Sequence, residues 1–225
     1  MFHQTEKQFQ KSESFLVGAL LAAAGGLLDA YTYLSRGGVF ANAETGNMVL
    51  FGINLMQGQW RKAAAYLFPI LAFALGVLAA ELIRAHHRGG GRYHWRHIVL
   101  MAEIAVVCVV AFLPQGDWDP LANVLVAFVC ALQVETFRKV RGNSFATTMC
   151  TGNLRSGTEA IYHGFVSGER ASAEKGWCYY GINACFIAGA ALGSLLTGLA
   201  PQWAVLGAAG FQLAAFGLMC QVDNG

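Results

Sequence analysis

The tripeptide Thr-Gly-Asn occurs twice in this chain, as Thr45-Gly46-Asn47 and as Thr151-Gly152-Asn153. Sixteen positions before each Thr an acid interrupts an otherwise apolar run, Asp29 in the first copy and Glu135 in the second. Both features repeat at an offset of 106 residues. A tripeptide recurs readily by chance; the same tripeptide with an acid at the same distance does so far less often. The chain therefore reads as an internal duplication, each half supplying one acid and one Thr-Gly-Asn turn.

The runs that carry these features approach the ~20 apolar residues needed to cross a bilayer. With 56% hydrophobic and 12% charged residues among 225, the chain is far from a soluble average and reads as a polytopic membrane protein. A net charge of +2 gives no footprint for nucleic acid, and the positive residues sit in short loops, where they report topology. Crossings are expected at 15–34, 63–83, 98–113, 121–137, 177–198 and from Pro201 to near Met219. Residues 1–14 form a polar segment expected at the membrane surface. Lys7 and Lys11 ahead of an apolar stretch imitate a signal peptide, but that stretch carries Asp29 and has a counterpart in the second half, so it is retained structure. A turn-rich connector at 114–120 joins the repeats, 15–114 and 119–221, within one transmembrane domain at 15–225. The six cysteines lie in or beside apolar runs without a CxxC pair and read as packing residues or reduced thiols.

The stretches after the two motifs are too short to cross. Residues 48–56 are apolar and end at Gln57-Gly58-Gln59-Trp60; about ten helical residues rise only about 15 Å. Residues 154–165 are again short and more polar, with Arg155, Glu159 and His163. Counting Lys and Arg tests whether these segments turn back. If both are re-entrant there are six crossings with both termini cytoplasmic, and 12 of the 15 positive residues fall inside, leaving Arg36, Arg61 and Lys62 outside. If both cross, the best split is eight in and six out, with Arg155 set aside. The positive-inside rule favours six. Three crossings per half make the halves antiparallel. The expected fold is all-α: six transmembrane helices plus two re-entrant half-helices in an inverted three-plus-three repeat. Other matches extend the duplication. Gly193 follows Gly76 by 117 residues, and Gln212 follows Glu103 by 109, placing a polar residue at similar depth in each third crossing. The Gly189–Gly193 pair suits close helix packing and permits a homo-oligomer.

Gly25-Gly26-Leu27-Leu28-Asp29-Ala30-Tyr31, Val39-Phe40-Ala41-Asn42, the first Thr-Gly-Asn, and Thr147-Thr148-Met149-Cys150 leading into the second resemble the YoaK family over nearly the whole chain from Phe15. That resemblance implies a bacterial inner-membrane protein and no established substrate. Glu44, at a position usually apolar in the family, and Glu135, where an amide is more typical, depart from its pattern.

A Thr-Gly-Asn turn heading a half-helix can cap free backbone N–H groups and aim the positive end of the helix dipole into the membrane. Irregular backbone at that depth survives only when buried in protein or lining a wet cavity. Inverted repeats with broken helices meeting near the midplane are a recurring transporter and channel plan. The expected function is therefore a pathway for a small solute or ion. Thr45, Gly46, Asn47, Thr151, Gly152 and Asn153 would line it, with Asp29 and Glu135 as proton carriers and Arg155 as an anion contact. The competing readings are a structural or partner-binding membrane protein and, third, a membrane enzyme. Arg155 and Glu159 stand four apart and could pair on one helical face. The loop from Arg84 to His97 is expected to contact anionic lipid headgroups; its four Arg oppose a metal at His86, His87, His94 and His97. No enzyme signature is present, and no metal or cofactor is expected.

Overall fold

A computed structural model describes residues 11–86, 95–140 and 143–220. After a short 3-10 turn the described residues form eight α-helices: α1 (Phe15–Ser35), α2 (Glu44–Met56), α3 (Trp60–His86), α4 (Trp95–Phe112), α5 (Asp119–Thr136), α6 (Cys150–Ser167), α7 (Arg170–Leu199) and α8 (Leu206–Cys220). Five of them, α1, α3, α4, α5 and α7, are long and apolar enough to cross a membrane. The protein is thus an all-α protein with several apolar helices of membrane-spanning length. The sixth expected crossing is shorter than anticipated. Pro201 does not begin a helix; 201–205 form consecutive turns, and α8 keeps only 15 residues, about 22 Å of rise.

Local chemistry sets the helix ends. Ser14 caps α1, its Oγ accepting the Val17 N–H at 3.2 Å. The chain leaves α1 through Gly37 and Gly38, both at positive φ (84° and 76°), where a side chain would be strained. Pro120 stands in the first turn of α5, where its missing N–H costs nothing. The second half adds one element that periodicity did not suggest. Strand β1 (Lys139–Val140) pairs antiparallel with β2 (Asn143–Ser144), a two-stranded hairpin ahead of α6.

Packing crosses between the halves. Helix α1 lies mainly against α7 and α8, while α5 lies against α3 and α4. Helix α2 packs on α3, α6 on α7, and α4 on α8. Exchanging α1 with α5, α2 with α6, α3 with α7 and α4 with α8 maps this set of pairs onto itself. Glycines permit the closest approaches. A Cβ on Gly26 would stand 2.0 Å from the Phe186 carbonyl oxygen, and one on Gly189 2.0 Å from that of Ala23. A Cβ on Gly76 would stand 2.4 Å from the Phe128 carbonyl oxygen, so the packing counterpart of Gly76 is Gly189; Gly193 lies further along, against Leu27.

Buried polar contacts also tie these helices, among them Gln133 of α5 donating to the Leu21 carbonyl of α1 at 3.2 Å. Between α4 and α8, Gln212 donates to Glu103 at 3.2 Å, so the two polar residues matched in sequence meet. At the junction of the halves the fully buried Arg36 donates to Tyr31 Oη (2.7 Å), to the carbonyls of Leu113 (2.8 Å) and Pro114 (2.9 Å), and to Asp119 (3.0 Å). Its own carbonyl accepts from Asn123 at 2.7 Å. A guanidinium placed against the last carbonyls of α4 satisfies orphan acceptors and favours that helix terminus.

Candidate functional site

The two Thr-Gly-Asn tripeptides are not turns that precede helices. Each lies in the first turn of its helix, α2 or α6, because helix formation starts one residue before Thr. The residues ahead, Ala43 and Met149, offer no side-chain cap. The asparagines do something other than capping. Asn47 turns back on Phe40, its Oδ1 accepting the Phe40 N–H (3.1 Å) and its Nδ2 donating to the Phe40 carbonyl (2.8 Å). Asn153 repeats this on Ala146, at 3.4 and 2.7 Å. Each amide thus holds the extended segment seven residues upstream, and both segments run back to the helix start.

These segments bring the N-termini of α2 and α6 to one cavity of about 600 Å³. That volume lies within the usual range of small-molecule sites, about 300–1,000 Å³. Asp29, Asn42, Glu44 and Thr45 contribute from the first half, and Thr148, Cys150, Thr151 and Gly152 from the second. The apolar wall is largely aromatic, with Tyr33, Phe40, Phe73 and Phe186; the Tyr33 and Phe40 rings stack at 4.7 Å.

Asp29 braces the first segment, its Oδ1 accepting the Asn42 N–H at 2.7 Å, while Asn42 Nδ2 donates to the Gly25 carbonyl at 3.1 Å. Glu44, in the first turn of α2, accepts from Asn47 Nδ2 through Oε2 at 3.0 Å. An acid there complements the positive end of α2. No acid occupies the first turn of α6. Three cavity-lining residues each keep one buried oxygen, Asn42 Oδ1, Glu44 Oε1 and Thr148 Oγ1, without a hydrogen-bond partner among the described residues.

The structure gathers Asp29, Thr45, Thr151 and Gly152 at the cavity. Gly46 abuts Phe40 from the next position, and Asn47 and Asn153 stand behind the wall, engaged with backbone. Glu135 lies elsewhere. It pairs with Arg138 at 2.8 Å and Arg84 at 3.7 Å, and both arginines also reach Glu81, an ion-pair network at the ends of α3 and α5. Arg155 is exposed on α6 away from the cavity, and among the described residues it makes no ion pair with Glu159. Of the basic loop, residues 87–94, with His87 and His94, lie outside the described residues. At its edge Arg96 reaches Glu13 at 3.4 Å, and the His97 ring meets Phe216 edge to face. Among the described residues no three of His, Cys, Asp and Glu come together as a metal site.

Sequence reasoning passed over Asn42, Thr148, Phe73 and Phe186. Asn42 and Thr148 stand at the same 106-residue offset as the tripeptides, a signal that extending the repeat alignment upstream would have shown. A family model described as "Protein of unknown function (DUF1275)" matches residues 17–218. The chain belongs to the DUF1275 family. That match covers every helix except the ends of α1 and α8, in agreement with the YoaK resemblance. Comparison with curated proteins and with solved structures gives no match for this DUF1275 chain.

Proposed function

We propose that this DUF1275 protein is a transporter or channel for a small solute or ion, with its site at the cavity between α2 and α6. The convergence of two helix N-termini from different halves on one cavity carries the reading. On this reading α2 and α6 are re-entrant, α8 makes a sixth crossing, and the halves are inverted about an axis in the membrane plane. The exchange symmetry of the packing pairs supports that arrangement, in which α6 is matched to α2. Length alone does not, since α6 has 18 residues, about 27 Å of rise and longer than the sequence suggested, against 13 in α2 and 15 in α8. Both termini are placed in the cytoplasm by the distribution of Lys and Arg, and the membrane is the bacterial inner membrane. Asp29, costly in hydrocarbon by ~2.5–3.5 kcal/mol or more if charged, is retained because it braces the re-entrant segment and faces the pathway.

Reconstitution tests this. Proteoliposomes are challenged with a panel of ions and small neutral, charged and zwitterionic solutes, followed by swelling rates and solid-supported-membrane currents. Protein-dependent flux, cut at least about tenfold in Asp29→Asn and in Thr151→Val, is the expected result. Undiminished flux in both variants would remove the site from this cavity. A second reading, a structural or partner-binding membrane protein, is favoured by one observation: both motif asparagines are consumed by their own backbone. It gains if no solute moves and a partner co-purifies stoichiometrically.

A further inference from the structure

The cavity has two ends of opposite character. On the α2 side stand two carboxyl groups, Asp29 and Glu44, and the oxygens Asn42 Oδ1 and Glu44 Oε1, which lack donors among the described residues. Asn42 is 6% exposed and Thr148, whose Oγ1 is also without a partner, 7%. Asn42 and Thr148 are neighbours across the halves, since a Cβ added to Gly25 would stand 2.4 Å from Thr148 and 3.7 Å from Asn42. Oxygens withdrawn from water and left without donors cost ~1–3 kcal/mol each, so this pair points to a ligand that brings donors. An ammonium group brings three. Among the described residues no Lys or Arg lines this cavity.

The α6 side is the reverse. Its first turn carries no acid, and among the described residues no backbone acceptor is found for the N–H groups of Cys150 and Gly152, whereas at α2 those of their counterparts Glu44 and Gly46 bond to Asn42 and Ala43; Thr45 and Thr151 are alike in having none. A Cβ added to Gly152 would meet nothing within 4 Å, so the terminus faces open space. A bare helix N-terminus of this kind favours an anionic group. A simple anion would confront Asp29 and Glu44; a simple cation would confront the uncompensated end of α6. A molecule carrying both charges answers both ends, and the aromatic wall of Phe40, Phe73 and Phe186 takes an apolar body between them.

Resting on the transport reading above, we infer that the cavity binds a small zwitterion of the amino-acid type. Its ammonium lies at Asn42, Glu44 and Thr148, its carboxylate at the N-terminus of α6, and its apolar side chain against the aromatic wall.

The test uses full-length protein in detergent. Thermal shifts are recorded with each of the 20 standard L-amino acids, every apolar member paired with its decarboxylated amine and its deaminated acid (L-leucine, isoamylamine and 4-methylpentanoate, for example). The expected result is a saturable shift with one or more apolar amino acids and at least about tenfold weaker binding of both single-charge counterparts. Glu44→Gln weakens the amino acid by at least about tenfold and leaves the weak acid unaffected or tighter. Gly152→Asp abolishes amino-acid binding while the ligand-free melting temperature holds or rises, since an acid in the first turn of α6 suits the helix. Equal binding of the amine alone or the acid alone, or no shift with any member, overturns the inference. Flux separates the two claims. Amino-acid binding without flux leaves the site and sinks transport; flux of a solute with no paired charges leaves transport and sinks this ligand class.

Discussion

Asn47 and Asn153 each hold a stretch of backbone with both ends of one amide, and the two stretches are the ones that reach the cavity. The motif's visible residue, Thr, is exposed in both copies, whereas both asparagines are buried. Truncating Asn47 leaves the N–H and carbonyl of Phe40 without partners, at ~1–3 kcal/mol for each buried group. Asn47→Ala and Asn153→Ala should therefore each lower the melting temperature of the purified protein by several degrees, and Thr45→Ala by little. Equal losses for Thr45→Ala and Asn47→Ala in differential scanning fluorimetry would contradict the clamp. The repeat of the tripeptide was plain in the sequence; which of its residues bears structure was not. An amide's partners seven residues upstream sit in a segment without periodicity, and no pattern marks them. Glu135 does not share the Asp29 cavity; it lines a second pocket of about 350 Å³ with Gly152 and Asn153. Offset 106 gives it the position of Asp29, but Arg84 and Arg138 reach it from α3 and from the chain just past α5 and draw it to the helix ends.

Helices were legible where apolar runs had polar borders. The sequence boundaries for α1, α4 and α5 agree with the structure to within about three residues. They failed where the first turn is polar. Helix α6 begins at Cys150 and includes Thr-Gly-Asn because the clamp, not a cap, starts it. The hairpin β1–β2 escaped notice because two-residue strands carry no alternation. The match of Gln212 with Glu103 was the most productive reading at this scale, since it turned out to be a direct contact between α4 and α8. Glu103 is fully buried and Gln212 nearly so. Leaving one partner costs its desolvation, while removing both can be close to neutral. Glu103→Leu and Gln212→Leu should each destabilise by ~1–3 kcal/mol, and the double variant by less than the sum, in chemical denaturation from mixed micelles. Strict additivity would show the contact to be energetically idle.

At the scale of the molecule, composition fixed the membrane class and the repeat fixed the two-part plan, but the interleaving of the halves could not be read from one chain. Pairings such as α1 with α7 depend on Gly26 and Gly189, whose contacts are main-chain carbonyls that no side-chain pattern encodes. The inverted arrangement proposed above makes a sharp topological prediction. Gln59 follows α2 and Ser167 ends α6, so single cysteines at these positions on a cysteine-free background should react with a membrane-impermeant maleimide from opposite faces. Labelling of both from one face of oriented vesicles refutes the inversion. Arg36 adds a constraint that charge counting treated only as a loop positive: its partners are the end of α4 and the start of α5, so it fastens the seam between halves.

Because α1 finds its main neighbours in α7 and α8, it leaves the ribosome well before the helices that cover it. Gly18, Gly25 and Gly26 must meanwhile stand against lipid or an insertion factor, and Arg36 must wait for Asp119 to be made. Biogenesis of this protein is therefore a process of late closure, in which a chain truncated ahead of α7 lacks the partners that cover α1. Quality-control proteases would meet such chains unprotected, so nonsense variants anywhere before α7 should act as full losses of the protein.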